Sequence, residues 1–196
     1  MHFIKNKGEL MFKYFSEINL DDIKIEKLNY DNLNLTIGFS CGNLDFDFFL
    51  QEDAIEEYKF STYLILYNNN LLGFFSLSAS GINIEDNDNS DISYISSAIE
   101  ISYFALEKKY HHISFNKEEE DKKTKFYLSD VLISKILEFI SSYIIDIVGA
   151  QFIILYSVPE AESLYYRNDF NNFENYMKRS NKPYLRECIP MYIKSR

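Results

Sequence analysis

Apolar residues recur along the chain with two periods, and the switches between them mark out its elements. In IKIEKL, Ile23 to Leu28, apolar and charged residues alternate as expected of a half-buried strand. From Asp45 the period changes. DFDFFLQEDAIEEY puts Phe46, Phe49, Leu50, Ala54 and Tyr58 near helical spacing with Asp53, Glu56 and Glu57 between them, which predicts a short amphipathic helix. STYLILY (Ser61 to Tyr67) and LLGFFSLSA (Leu71 to Ala79) are rich in β-branched and aromatic residues and flank Asn68, Asn69 and Asn70, a hairpin signal. Ile82 to Ser97 is rich in Asp, Asn and Ser, whose side chains bond to nearby backbone, and predicts a mobile loop.

AIEISYFAL (Ala98 to Leu106) predicts another strand, and the following EKKYHHISFNKEEEDKKTK is too highly charged for core and predicts a loop. From Tyr127 to Val148, Leu128, Leu132, Ile136, Phe139, Ile140, Tyr143 and Ile147 recur every three or four residues, and Gly149 follows as a stop; this is the best helix in the chain. AQFIILYS (Ala150 to Ser157) is almost continuously apolar, as a central strand covered on both faces would be. Pro159 leads a helix carrying AESLYY, and CIPMYI (Cys188 to Ile193) makes a last strand in which Pro190 implies an edge or bulge. The order describes a mixed α/β fold with a twisted central sheet. Two strands separated by a long helix further predict that Ala98 to Leu106 and Ala150 to Ser157 are parallel neighbours.

Composition narrows the function. At 196 residues, 46% of them hydrophobic, the chain suits one domain over 1–196, with 1–20 as an N-terminal extension. A net charge of −10 opposes broad attraction to nucleic acid or anionic lipid. No apolar run approaches the roughly 20 residues of a membrane span, and MHFIKNKGELMFKYF lacks the continuous apolar region of a signal peptide, while Met11 offers an alternative start. Two distant cysteines, Cys41 and Cys188, suit a reduced, cytoplasmic setting. Adjacent His111 and His112 have no carboxylate or Cys at ligand spacing, so no metal site is expected, and Cys41 has no visible His partner to make it a nucleophile. No nucleotide-binding glycine motif is present.

Two stretches resemble the GNAT superfamily of acyl-CoA-dependent N-acyltransferases, over most of the chain from about Phe39. FSCGNLDFDFFLQEDA (Phe39 to Ala54), followed by the hairpin, is similar to the start of small bacterial, toxin-like members, where a Cys-Gly turn and a Leu-Asp helix precede strands two and three. VPEAESLYYRNDF (Val158 to Phe170) resembles their terminal helix motif, Ala-x-x-Phe-Tyr-x-x-x-Gly-Phe. The resemblance implies a GNAT-like sheet with splayed strands four and five, acetyl-CoA as cosubstrate and an amine as acceptor. It puts Tyr165 in the place of the tyrosine that protonates the leaving thiolate, although Tyr165 is also one of 16 tyrosines that could simply pack. It puts Glu100 at the general-base position of strand four, with a solvated edge residue as the competing reading. By strand period Glu100, Ser102 and Phe104 share one face. The backbone of Phe104, Ala105 and Leu106 is expected to bond to the pantetheine amides as an added strand would.

The family's pyrophosphate loop, Gln/Arg-x-x-Gly-x-Gly/Ala, is missing: its places fall on Thr124, Tyr127 and Ser129. The first-turn amides of the helix, Tyr127, Leu128, Ser129 and Asp130, remain the expected phosphate contact, because they lack intrahelical partners and sit at the positive end of the dipole. Lys122, Lys123 and Lys125 could add charge, with Asp130 opposing it. Three functions therefore stand: an N-acetyltransferase, a non-catalytic CoA-binding or interaction domain, and a toxin that acetylates aminoacyl-tRNA, the last opposed by the acidic balance.

Overall fold

The computed structural model describes residues 14–86, 89–115, 125–173 and 187–195. Among these, seven strands form one sheet: β1 (Ile23–Lys27), β2 (Ser61–Tyr67), β3 (Asn70–Asp86), β4 (Asn89–Leu106), β5 (Phe152–Ser157), β6 (Asn171–Asn172) and β7 (Ile189–Lys194). Their spatial order is β1-β2-β3-β4-β5-β7-β6. The β2–β3 turn is made by Asn68 and Asn69, both left-handed at φ 49° and 59°, a pair of positive φ values that matches the twist of a two-residue hairpin.

Only β4 and β5 run parallel, as expected, pairing from Ala98↔Phe152 to Ile101↔Leu155. Beyond Ile101 the two strands diverge, because each is held by its other neighbour: β4 stays on β3 up to Gly73↔Leu106, and β5 stays on β7 up to Ser157↔Ile189. A β-bulge adds to the divergence. Ser76 faces Tyr103 and Leu77 faces Ile101, so Ser102 is an extra residue that bends β4 and flips the faces after it.

Helix α2 (Leu128–Ile140) covers one face, with Leu128, Leu132, Ile136 and Ile140 each 0% exposed. Phe139 is half-buried and packs on Tyr63 and Phe75, with ring centroids 4.9 and 5.9 Å away. The remainder of the expected apolar face departs from the pattern: Tyr143 is 64% and Ile147 82% exposed. The cause is a π-turn over Ser141–Ile145, ahead of α3 (Asp146–Val148), which inserts a residue and brings Ile145 under the helix five places after Ile140. Gly149, at φ 64°, ends the run as expected. On the opposite face, α1 (Leu44–Phe48) continues into a π-turn over Phe49–Asp53, packing Phe49 and Leu50 on β2 to β4.

Three further expectations are corrected. Ile82 to Ser97 is not a mobile loop over its described residues: 82–86 and 89–97 pair as the outer part of the β3–β4 ladder, because a cross-strand ladder outcompetes the local preferences of Asn, Asp and Ser, and residues 87 and 88 lie outside the described residues. The charged stretch after β4 does reach the core, where Tyr110 and Ile113 are buried beside Phe15. Pro190 lies on an inner strand, but its carbonyl accepts from the Phe173 amide, so its imide nitrogen faces two-residue β6 and spares the β5 ladder.

Gly73 pins the end of β4. A Cβ there would lie 2.4 Å from the Ala105 carbonyl oxygen and 3.2 Å from the Leu106 Cα. Gly73→Ala should therefore lower stability in urea unfolding by roughly 1–3 kcal/mol, the usual cost of overpacking against backbone.

Candidate functional site

The divergence of β4 from β5 opens a cavity of about 560 Å³. Phe104, Ala105 and Leu106 form one wall, with Cys41, Asn43 and Phe46 beside them, while Tyr127 and Ser129 open α2. The facing wall comes from the 3-10 turn Pro159–Ala161 and α4 (Glu162–Arg167), through Ala161, Leu164, Tyr165 and Arg167.

Tyr165 is 7% exposed, its ring edge-on to Phe170 at 5.6 Å. Its hydroxyl has no hydrogen-bond partner among the described residues, although buried polar groups are normally bonded. Burial pushes its pKa well above the ordinary tyrosine value, so the phenol remains protonated through the neutral range.

Glu100 lies on the other face of β4. Ile99 and Ile101 pack under α2, and the Ser102 bulge puts Phe104 on their side, so Glu100 and Phe104 do not share a face as strand alternation implied. Glu100 does not line the cavity that Tyr165 lines. It accepts hydroxyl hydrogen bonds from Ser80 (3.3 Å) and Ser102 (3.2 Å), and Ser102 pairs with Ser78 at 2.8 Å. Burial, with the Glu100 charge adding to it, raises the Tyr156 phenol.

The first turn of α2 differs from its expected role. The Tyr127 amide donates to Asp130 Oδ2 at 2.8 Å, the Leu128 amide to the Ile113 carbonyl at 2.8 Å and the Asp130 amide to the Tyr127 carbonyl at 3.0 Å. Of the four amides proposed for phosphate, only that of Ser129 has no partner among the described residues. Asp130 is 1% exposed, caps its own helix, and is held by Arg167 Nε (3.0 Å) and the Asn168 side-chain amide (3.2 Å). Thr124, Lys122 and Lys123 lie outside the described residues.

Sequence reasoning missed Arg167, which lies inside the terminal motif but carries no charge signature of its own, and although it placed a Cys-Gly turn before the first helix it missed what holds that turn. There Asn43 caps α1, accepting from the Asp45 amide at 3.0 Å, and Gly42 turns the chain at φ 92°. Buried Asp47 accepts from the Cys41 amide (2.7 Å) and the Ser40 hydroxyl (2.9 Å), and the Lys108 amide reaches the Ser40 carbonyl at 2.7 Å. The turn is thereby tied to the end of β4. Burial raises the Cys41 thiol to about 11, so it is no thiolate nucleophile at neutral pH.

No family model and no curated protein matches the sequence. Solved structures do. A tyrosine-to-phenylalanine mutant of the AtaT toxin is 14% identical with a TM-score of 0.64, covering 89% of this chain and 91% of that one. AtaT complexed with acetyl-methionyl-tRNAfMet is 14% identical at a TM-score of 0.60, over 89% and 95%. AtaTR bound with AcCoA is 14% identical at 0.53, over 89% and 94%. These likenesses show the fold: a GNAT-like mixed sheet with its parallel pair flanked by helices.

Asp47 should make the turn acid-sensitive. Burial alone would raise its carboxyl, but hydrogen bonds from Cys41, Ser40 and Gly42 outweigh burial and hold it below its ordinary value. A depressed folded-state pKa stabilises above the unfolded value of about 4, and that contribution is lost as pH falls through the folded value. In thermal unfolding across pH, the parent chain should exceed Asp47→Asn at neutral pH, and the gap should close below about pH 4.

Proposed function

We propose that the chain is an acetyl-CoA-dependent N-acetyltransferase, a single catalytic domain of the cytoplasm that moves an acetyl group onto an amine by direct attack. One observation carries this reading: a buried tyrosine hydroxyl with no partner among the described residues lines a cavity walled by the end of β4 that β5 leaves. A protonated hydroxyl has a use where a thiolate departs. The structures sharing this fold include AtaTR with AcCoA bound, and the two free cysteines suit a reducing compartment.

In this reading the backbone of Phe104, Ala105 and Leu106 takes the pantetheine amides as a neighbouring strand would. The amine nitrogen attacks the thioester carbonyl carbon, a C–N bond forms, the C–S bond breaks, and Tyr165 gives its proton to the departing sulfur. The attacking nitrogen loses its proton to Glu100, directly or through water. What supports Glu100 is its hydroxyl-held carboxylate and its place on the face opposite Tyr165, so that base and acid address the parting strands from the two sides.

A more specific acceptor comes from the AtaT complex with acetyl-methionyl-tRNAfMet, which favours the amino group of an aminoacyl-tRNA. The net charge of −10 opposes it. Growth arrest on expression, relieved by Tyr165→Phe, would distinguish this acceptor from a small amine.

Tyr165→Phe removes one hydroxyl and little volume. Turnover in a thiol-release assay should fall by about 10² to 10⁴ with acetyl-CoA affinity retained. Parent-level turnover would rule out Tyr165 as the acid. Glu100→Gln should slow the reaction most at neutral pH and least at alkaline pH, where the amine arrives already deprotonated; an equal loss at every pH would remove Glu100 as the base.

A further inference from the structure

The cavity needs positive charge or hydrogen-bond donors where a diphosphate would lie, and its two obvious sources are already committed. Three of the four first-turn amides of α2 are bonded within the protein, and Asp130 sets a carboxylate of its own at that helix end. Arg167 lines the cavity but directs its Nε to Asp130 at 3.0 Å, so its charge is compensated. Nearby Lys109 is likewise committed, to Glu107 at 2.7 Å. Among the residues lining the cavity, the other groups able to carry positive charge are His111 and His112.

Their geometry fits an anion. Both side chains are exposed at the cavity's rim, with ring centroids 6.2 Å apart and planes at 85°, so that nitrogens from two directions can converge on one group of phosphate oxygens. His111 Nε2 lies 3.1 Å from the Leu106 carbonyl, which orients the ring and leaves Nδ1 as its second donor when protonated. His112 holds φ 62°, a left-handed conformation that costs a side-chain-bearing residue something and glycine nothing. The position that would most simply be glycine carries an imidazole instead.

We propose that His111 and His112 hold the diphosphate of the cosubstrate, as side-chain donors in place of first-turn backbone amides already bonded within the protein. This rests on the acetyl-CoA reading above. Imidazole N–H groups from the two rings would donate to the diphosphate oxygens.

The test is calorimetric titration of the full chain with acetyl-CoA and with S-acetylpantetheine, which lacks every phosphate. The parent chain should bind acetyl-CoA at least tenfold more tightly than S-acetylpantetheine. His111→Gln keeps a donor to the Leu106 carbonyl without charge, and His112→Gly keeps the left-handed turn without the ring. Each should weaken acetyl-CoA about tenfold or more while leaving S-acetylpantetheine unchanged, and His112→Gly should also raise the unfolding temperature. If the parent binds acetyl-CoA and both variants bind it equally well, the histidines are not the phosphate ligands and the cofactor reading survives. If His112→Gly lowers the unfolding temperature along with affinity, the ring is structural and the proposal falls. If the parent binds neither compound, the cofactor reading itself fails and takes the proposal with it.

Discussion

β4 and β5 pair for four residues and then part, and nearly everything that could act lies where they part. Two adjacent strands normally satisfy each other's backbone groups along their whole common length. Here that is prevented from both outer sides, by the close approach of Gly73 to Ala105 and by the ladder of β5 with β7 up to Ser157. The end of β4 beyond Ile101 is left with an inner edge that no strand of the described residues occupies. An unpaired edge inside a protein is a demand for a partner, and an extended chain bearing amides meets it with the same hydrogen bonds as a strand.

The bulge at Ser102 sets what faces that edge. Without it, odd-numbered residues of β4 would point under α2 to the end of the strand; with it, Phe104 and Leu106 take over that face while Tyr103 moves across to stack on Phe49 at 4.0 Å. The opposite face thereby keeps a polar strip in which Ser78, Ser80 and Ser102 surround Glu100 between two apolar clusters. One inserted residue thus separates an acidic, hydroxyl-lined face from an aromatic-lined cavity across a single strand.

How far this was readable in advance depended on the range of the forces involved. Strand β5 and helix α2 were legible because a continuous apolar run and a repeated three-to-four spacing are stated within one segment. The parallel pairing followed, since a strand, a long helix and a strand leave one common handedness. The outer half of the β3–β4 hairpin was not legible, because its residues individually favour turns and only the facing strand makes them extended. Nor was the face of Glu100, because the alternation rule fails at a bulge and a bulge is defined by two strands together. Tyr165 was singled out through its motif, but that its hydroxyl has no partner among the described residues is a fact of packing. Asp130 was read as an opponent of phosphate when it caps its own helix, since sequence does not reveal that Arg167, 37 residues on, returns to meet it.

The wide turn at Ser141–Ile145 has a consequence for how the chain tolerates change in length. Ile140 and Ile145 both face the core, five residues apart, where an uninterrupted α-helix brings residues back after three or four. The helix therefore carries one residue more than its packing uses, taken up as a bulge on its solvent side, where Ser141, Ser142 and Tyr143 are exposed. Loss of a single residue there would regularise the helix and leave Ile140, Ile145 and the Gly149 stop in place. A deletion of the same size between Leu128 and Ile140, where buried positions already follow the α-helical period, would rotate everything after it by about 100° and carry the apolar face away from the sheet.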